Sequence, residues 1–138
     1  HPPPPPPNRN PHMDTLAVGK KLVELCKQGQ HMQAIETLYA PDIVSVEAAS
    51  SGDMPAEMRG IDAIRGKATW WFENHEIHGG EVRGPFPHGD RFAAWMTYDV
   101  TAKAGPMAGQ RMQIEEVALY TVKDGKIVRE EFFYDMGG

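Results

Sequence analysis

"ALYTVKDGKIVREEFFYD", residues 118–135, decides the fold. Two runs rich in β-branched and aromatic residues flank "KDGK" (123–126). Asp-Gly between such runs is a strong tight-hairpin signal, because both central residues of that turn need positive φ. The pattern places strands over 110–122 and 127–136. Setting Val122 opposite Val128 pairs Tyr120 with Glu130, Ala118 with Phe132 and Glu116 with Tyr134.

The strand signal continues upstream. Residues 91–103 alternate, with Phe92, Ala94, Met96, Tyr98 and Val100 on one face and Ala93, Trp95, Thr97, Asp99 and Thr101 on the other. "AGPMAG" (104–109) is a longer connection and "PHGD" (87–90) a turn. Residues 76–86 form one more strand, where Gly79 and Gly80 imply a bulge or bend.

Nearer the N-terminus the period changes. "IDAIRGKATWWFENH" (61–75) carries apolar residues at Ile61, Ile64, Ala68, Trp71 and Phe72, an amphipathic helix. Val18, Leu22, Leu25 and Cys26 mark another helix, capped by Asp14 or Thr15 and stopped by Gly29. A short second helix with Ile35, Leu38 and Tyr39 on one side ends before Pro41. Residues 42–48 read as the first strand and 50–60 as a loop. The order is α+β: three helices, a strand before the third, then a four-stranded antiparallel meander. A curved sheet with helices over its concave face makes a cone open at one end.

The remaining sequence narrows the classes. Residues 1–12, with Pro2–Pro7, are an extended, Pro-rich segment extraneous to the fold, or an upstream extension; residues 13–138 form one domain. A net charge of −5 without a Lys/Arg cluster excludes a nucleic-acid or anionic-membrane surface. No apolar run reaches membrane-spanning length and no secretory signal is visible, so the expectation is cytoplasmic. The lone Cys26 permits no internal disulfide and reads as a small buried hydrophobe. His75, His78 and His88 lack the supporting carboxylates of a metal site, and nothing in the motifs requires a cofactor.

Three segments carry a family resemblance: "AIETLYAPDIVSVE" (34–47), "MRGIDAIRGKATWWFE" (58–73) and "ALYTVKDGKIVREEFFYD" (118–135). Together they resemble the nuclear-transport-factor-2-like superfamily, in its SnoaL-like group with ketosteroid isomerase, polyketide cyclases and limonene-epoxide hydrolase. The likeness covers nearly all of 14–136. It implies the cystatin-like cone, but not one activity, since this fold hosts isomerases, dehydratases, hydrolases, cyclases and adaptors.

By that likeness Ile43, Ser45 and Glu47 face the pocket, and Glu47 falls where ketosteroid isomerase has its general base. A carboxylate in an apolar cone loses hydration and its pKa rises toward the range useful for proton transfer. The alternative is a strand-end Glu, solvated or paired with Arg59. Family parity puts Glu116 and Tyr134 inside as neighbours, where the hydroxyl can donate to an oxyanion or fix the carboxylate. Two glutamates close together would leave one protonated. Departures matter. The isomerase's oxyanion tyrosine maps to Leu22 and its protonated aspartate to Ala118. The epoxide hydrolase's Asp–Arg–Asp positions map to Val100, Tyr98 and Phe132. Neither known constellation is present.

The expected site is therefore catalytic Glu47, Glu116 and Tyr134, with Tyr98, Met96, Trp70, Trp71, Glu130, Phe132 and Ala118 contacting a small, mostly apolar ligand. Three functions remain open: a cofactor-independent isomerase, cyclase, dehydratase or hydrolase; a non-catalytic ligand-binding module; and an adaptor. Val44, Val46, Trp95, Val117 and Phe133 make the convex face apolar, so a homodimer through the sheets is expected.

Overall fold

The computed structural model describes residues 11–50 and 54–135, with side chains from Asp14 onward. The expected extended segment Pro2–Pro7 lies outside the described residues. Three helices, α1 (Pro11–Lys27), α2 (His31–Leu38) and α3 (Ile61–Glu73), accompany six strands. The strands are β1 (Tyr39–Val46), β2 (Glu57–Arg59), β3 (His75–His88), β4 (Arg91–Ala102), β5 (Arg111–Lys123) and β6 (Lys126–Phe133). They form one curved, unclosed sheet in the order β2-β1-β6-β5-β4-β3. β3 to β6 are the antiparallel meander, while β1 runs parallel to β6.

Local chemistry explains the boundaries. α1 starts at Pro11, so Asp14 lies in its first turn instead of capping it; proline suits that first position because its missing N–H has no helical partner there. Gly29 takes φ 73°, and the Gln30 and Gly29 N–H groups donate to the Leu25 and Cys26 carbonyls at 2.8 and 3.1 Å. This double closure satisfies the orphan carbonyls at the helix end. Asp124 and Gly125 both take positive φ, as the two-residue hairpin requires.

Four expectations need correction. Tyr39 opens β1 instead of closing α2, and β1 ends at Val46, one residue before Glu47. Pro41 lies within β1, where the β1–β6 register shifts between Tyr39 and Val44; a bulge tolerates the missing N–H. Part of the expected loop, Glu57–Arg59, pairs with β1 as a sixth strand. Finally, Val122 opposes Ile127, not Val128, and a bulge after it restores Tyr120–Glu130 and Ala118–Phe132. The irregularity between Ile77 and Gly79 is the bend expected in β3.

The core lies between the helices and the inner sheet face. Phe92, Ala94, Met96, Val100, Ala118, Tyr120 and Ile127 are buried under Val18, Leu22, Leu25, Cys26 and Ile64. α1 approaches β3 closely because position 19 has no side chain. A Cβ there would lie 2.7 Å from Pro85 Cβ and 3.2 Å from the Phe92 ring. Gly19→Val should therefore destabilise by about 1–3 kcal/mol through overpacking, read as a lower urea midpoint with an unchanged slope.

Candidate active site

A line of hydrogen-bonded side chains runs from the half-buried end of β6 into the core. The Tyr134 hydroxyl donates to Glu47 Oε2 at 3.0 Å. Lys67 Nζ donates to Glu47 Oε1 at 2.8 Å and to Ser45 Oγ at 2.5 Å. Ser45 donates onward to Glu130 Oε1 at 2.8 Å, and Tyr39 donates to Glu130 Oε2. Lys67 Nζ also lies 4.0 Å from Glu130 and 5.3 Å from the Phe132 ring centre.

Each element contributes by its periodicity. β1 alternates, so Ile43 and Ser45 turn inward and are fully buried, while Val44 and Val46 are half-buried on the other face. Glu47 continues that inward parity past the strand's end, where its backbone N–H donates to the Ala56 carbonyl at 2.8 Å. Its side chain is 24% exposed and that of Lys67 15%. The partner of Glu47 is thus Lys67, not Arg59, which pairs with Glu57.

Lys67 escaped the sequence reading, although the signal was present. It stands three residues after Ile64 and four before Trp71, on the apolar stripe of α3. A lysine on that stripe must bury its stem and find a counter-charge. Tyr39 was missed because it was assigned to a helix.

Glu116 differs from the other carboxyls. No hydrogen bond or ion pair reaches it among the described residues, and it is half-buried opposite Met96. Burial first, then repulsion from Glu47 and Glu130, push its pKa up to about 7; Lys67 offsets this only partly. Burial also raises Glu130, against the pull of Lys67, Tyr39 and Ser45. Tyr98 and Tyr134 are raised, mainly by burial. Burial pushes the Cys26 thiol up to about 12, so it is an inert core group.

The expected residues divide accordingly. Glu47 and Tyr134 meet directly. Glu116 does not bond to Tyr134, but its charge contributes to the raised Tyr134 pKa. Glu130 is 2% exposed and sealed below Ser45, so it reaches a ligand only through its neighbours. Met96 and Ala118 are packed in the interior, and Met96 Sδ accepts from the Tyr98 hydroxyl at 3.5 Å. Trp71 packs on His75, Phe72 and Tyr98. Trp70 is a correction: it is 45% exposed, on the polar side of α3.

One cleft of about 820 Å³ lies between the α1–α2 corner and β3, and another of about 590 Å³ between α2 and the end of α3. Glu47, Lys67, Glu116, Glu130 and Tyr134 line neither; Tyr98 alone of the expected residues lines the larger. Tyr98 lines the larger cleft, and after burial the charge of Glu116 contributes to its raised pKa.

Comparison with known proteins gives a consistent picture. The SnoaL-like domain profile matches residues 13–134. A crystal structure from Mesorhizobium loti, provisionally named a SnoaL-like polyketide cyclase with carbohydrate phosphatase in brackets, is 47% identical. It covers 86% of this chain and 97% of its own, with a TM-score of 0.79. A Jannaschia structure, also provisionally a SnoaL-like polyketide cyclase, is 18% identical over 95% and 92% of the two chains, with a TM-score of 0.68. An M. tuberculosis epoxide hydrolase resembling limonene-epoxide hydrolase shares the fold at 13% identity, a TM-score of 0.65 and coverage of 91% and 86%. No functionally curated protein matches the chain. No helix among the described residues is long and apolar enough to cross a membrane.

Proposed function

The chain belongs to the SnoaL-like domain family, and from that premise we propose a cofactor-independent enzyme that moves a proton on a small, mostly apolar carbonyl compound. One contrast carries this reading: Glu47 accepts from two donors, whereas Glu116 has none and titrates near 7. Neighbouring carboxyls in unlike environments suit opposite proton-transfer roles.

In the proposed step Glu47 takes a proton from the carbon next to the carbonyl. The C–H electron pair forms the enol double bond, and the carbonyl π electrons move to oxygen. The neutral Glu116 carboxyl donates to that oxygen. In an isomerisation Glu47 returns its proton to another carbon conjugated with the enol while the enol O–H goes back to Glu116. In a cyclisation the enol carbon attacks a second carbonyl, whose oxygen takes the proton from Glu47 while the enol O–H goes back to Glu116. Tyr134 and Lys67 hold Glu47 in place, and Glu130, through Ser45, positions Lys67.

Exchange of the α-hydrogens of 2-tetralone in D2O, followed by proton NMR, tests the step. The protein should accelerate exchange, Glu47→Gln should slow it roughly a hundredfold, and the rate should fall as pH rises through about 7, where Glu116 loses its proton. Unaltered exchange in Glu47→Gln would remove Glu47 as the base.

A second reading, a binding module without chemistry, is favoured by the position of the clefts. Both are lined by His31 and Phe72, the larger also by Tyr98, and neither by Glu47.

The sheet's outer face supports a homodimer in either case. Trp95, Val117 and Phe133 oppose one another across β4, β5 and β6, and Val117 and Phe133 are exposed. An apolar row of this kind is covered in most soluble proteins. Sedimentation velocity should show a dimer of the 15.3 kDa chain, and Phe133→Asp should give a monomer; a monomeric parent protein contradicts the assignment.

A further inference from the structure

His31 opens α2 directly after the Gly29 corner. Both its ring nitrogens are shut away from water, and neither has a hydrogen-bond partner among the described residues. An imidazole always carries at least one N–H, and a neutral one has a donor and an acceptor to satisfy. Leaving both unpaired in a protein interior costs stability, because neither recovers the hydrogen bond it made to water. A phenylalanine would fill the same space without that cost. The ring is therefore retained against stability, which calls for a use.

Its surroundings supply one. His31 is in the wall of both clefts, together with Gly29 and Phe72. Its ring centre lies 5.1 Å from that of Phe72 and 6.2 Å from that of Tyr98. The second side-chain torsion is broad for histidine, so the ring has freedom to turn about it. The larger cleft adds Ile77, Val82 and Cys26 as apolar wall, and Lys27, Glu81 and Arg83 at its polar edge. Burial holds the imidazole below the usual histidine range, so it is neutral at pH 7. A neutral imidazole offers an anion no charge, and the mixed-sign edge favours neither ion class.

We propose that this cleft is a small-molecule site, separate from the carboxylate line, that binds neutral, flat aromatic alcohols with the ligand hydroxyl donating to His31. Phe72 and Tyr98 supply the aromatic walls, an arrangement that stabilises ring packing beyond area burial. The proposal does not depend on any chemistry at Glu47.

The probe is 2-naphthol at pH 7.5, titrated by its fluorescence. Saturable binding to the parent protein is expected, with affinity about tenfold weaker in His31→Phe, the equivalent of one hydrogen bond at 1.4 kcal/mol per decade. The thermal midpoint of His31→Phe should stay level or rise. Glu47→Gln should bind as the parent does. In the parent protein, 2-naphthol should shift the His31 ring-nitrogen resonances, a readout that needs no variant to fold. Absence of saturable binding, parental affinity in His31→Phe, or unmoved His31 resonances on saturation would each overturn the proposal. Loss of binding in Glu47→Gln with His31→Phe unaffected would place the ligand on the carboxylates instead.

Discussion

Glu116→Gln should make the protein more stable at pH 8, by up to about 3 kcal/mol, and leave it nearly unchanged at pH 4. The amide keeps the shape and removes a charge that the fold disfavours. Folding raises this carboxyl from 4.5 to about 7. Between those values the folded state holds a proton that the unfolded chain has released, so stability falls as pH rises. The loss is complete above about 7. At 1.36 kcal/mol for each pH unit, the interval sets the magnitude. Urea unfolding of both proteins at pH 4, 6 and 8 reads the difference directly. The gain should appear between pH 4 and 7 and then level off. A uniform gain at all three values would mean that packing, not protonation, distinguishes the variant. Such a stabilising substitution in a site is the expected mark of a residue kept for function at the expense of stability.

Lys67→Met should have the opposite effect, with a loss of roughly 2–3 kcal/mol at pH 8. Methionine preserves the stem packing along α3 and removes only the ammonium. Glu47 then loses its 2.8 Å partner and Glu130 the nearest positive charge. Removing one member of a buried ion pair costs about 3–5 kcal/mol; the partial exposure of Glu47 and Lys67 lowers that figure because solvent screens the remaining charge. Lys67 lowers the pKa of both Glu116 and Glu130. Without it, both hold protons to higher pH in the folded state. The variant's deficit should therefore narrow as pH falls from 8 to 5, as the uncompensated carboxylates become neutral. A deficit that is constant with pH would assign Lys67 a packing role alone.

The elements were legible where one period dominated. The alternation of β4, the Asp-Gly hairpin and the stripe of α3 all follow from side chains that can bury only one face. The β5–β6 bulge was not, because a single residue, Val128, is displaced without altering the pattern around it. β2 was hidden because three residues of mixed polarity carry no period. The site was legible in part through the family resemblance. That likeness put Ser45 and Glu47 on the pocket side, but it does not identify a partner on another element. Lys67 reaches Glu47 from α3, and Tyr39 reaches Glu130 over 91 positions of sequence. His31 carried no signal at all: its isolation is a property of the packing around it.

The carboxyl resonances of the glutamates, followed by carbon-13 NMR from pH 3 to pH 9, test the central claim most directly. One carboxyl should titrate near 7, and its signal should vanish in Glu116→Gln. If every glutamate titrates below about 5, in the range of free side chains, no neutral carboxyl stands beside Glu47 at physiological pH, and the proton-transfer site described here does not exist.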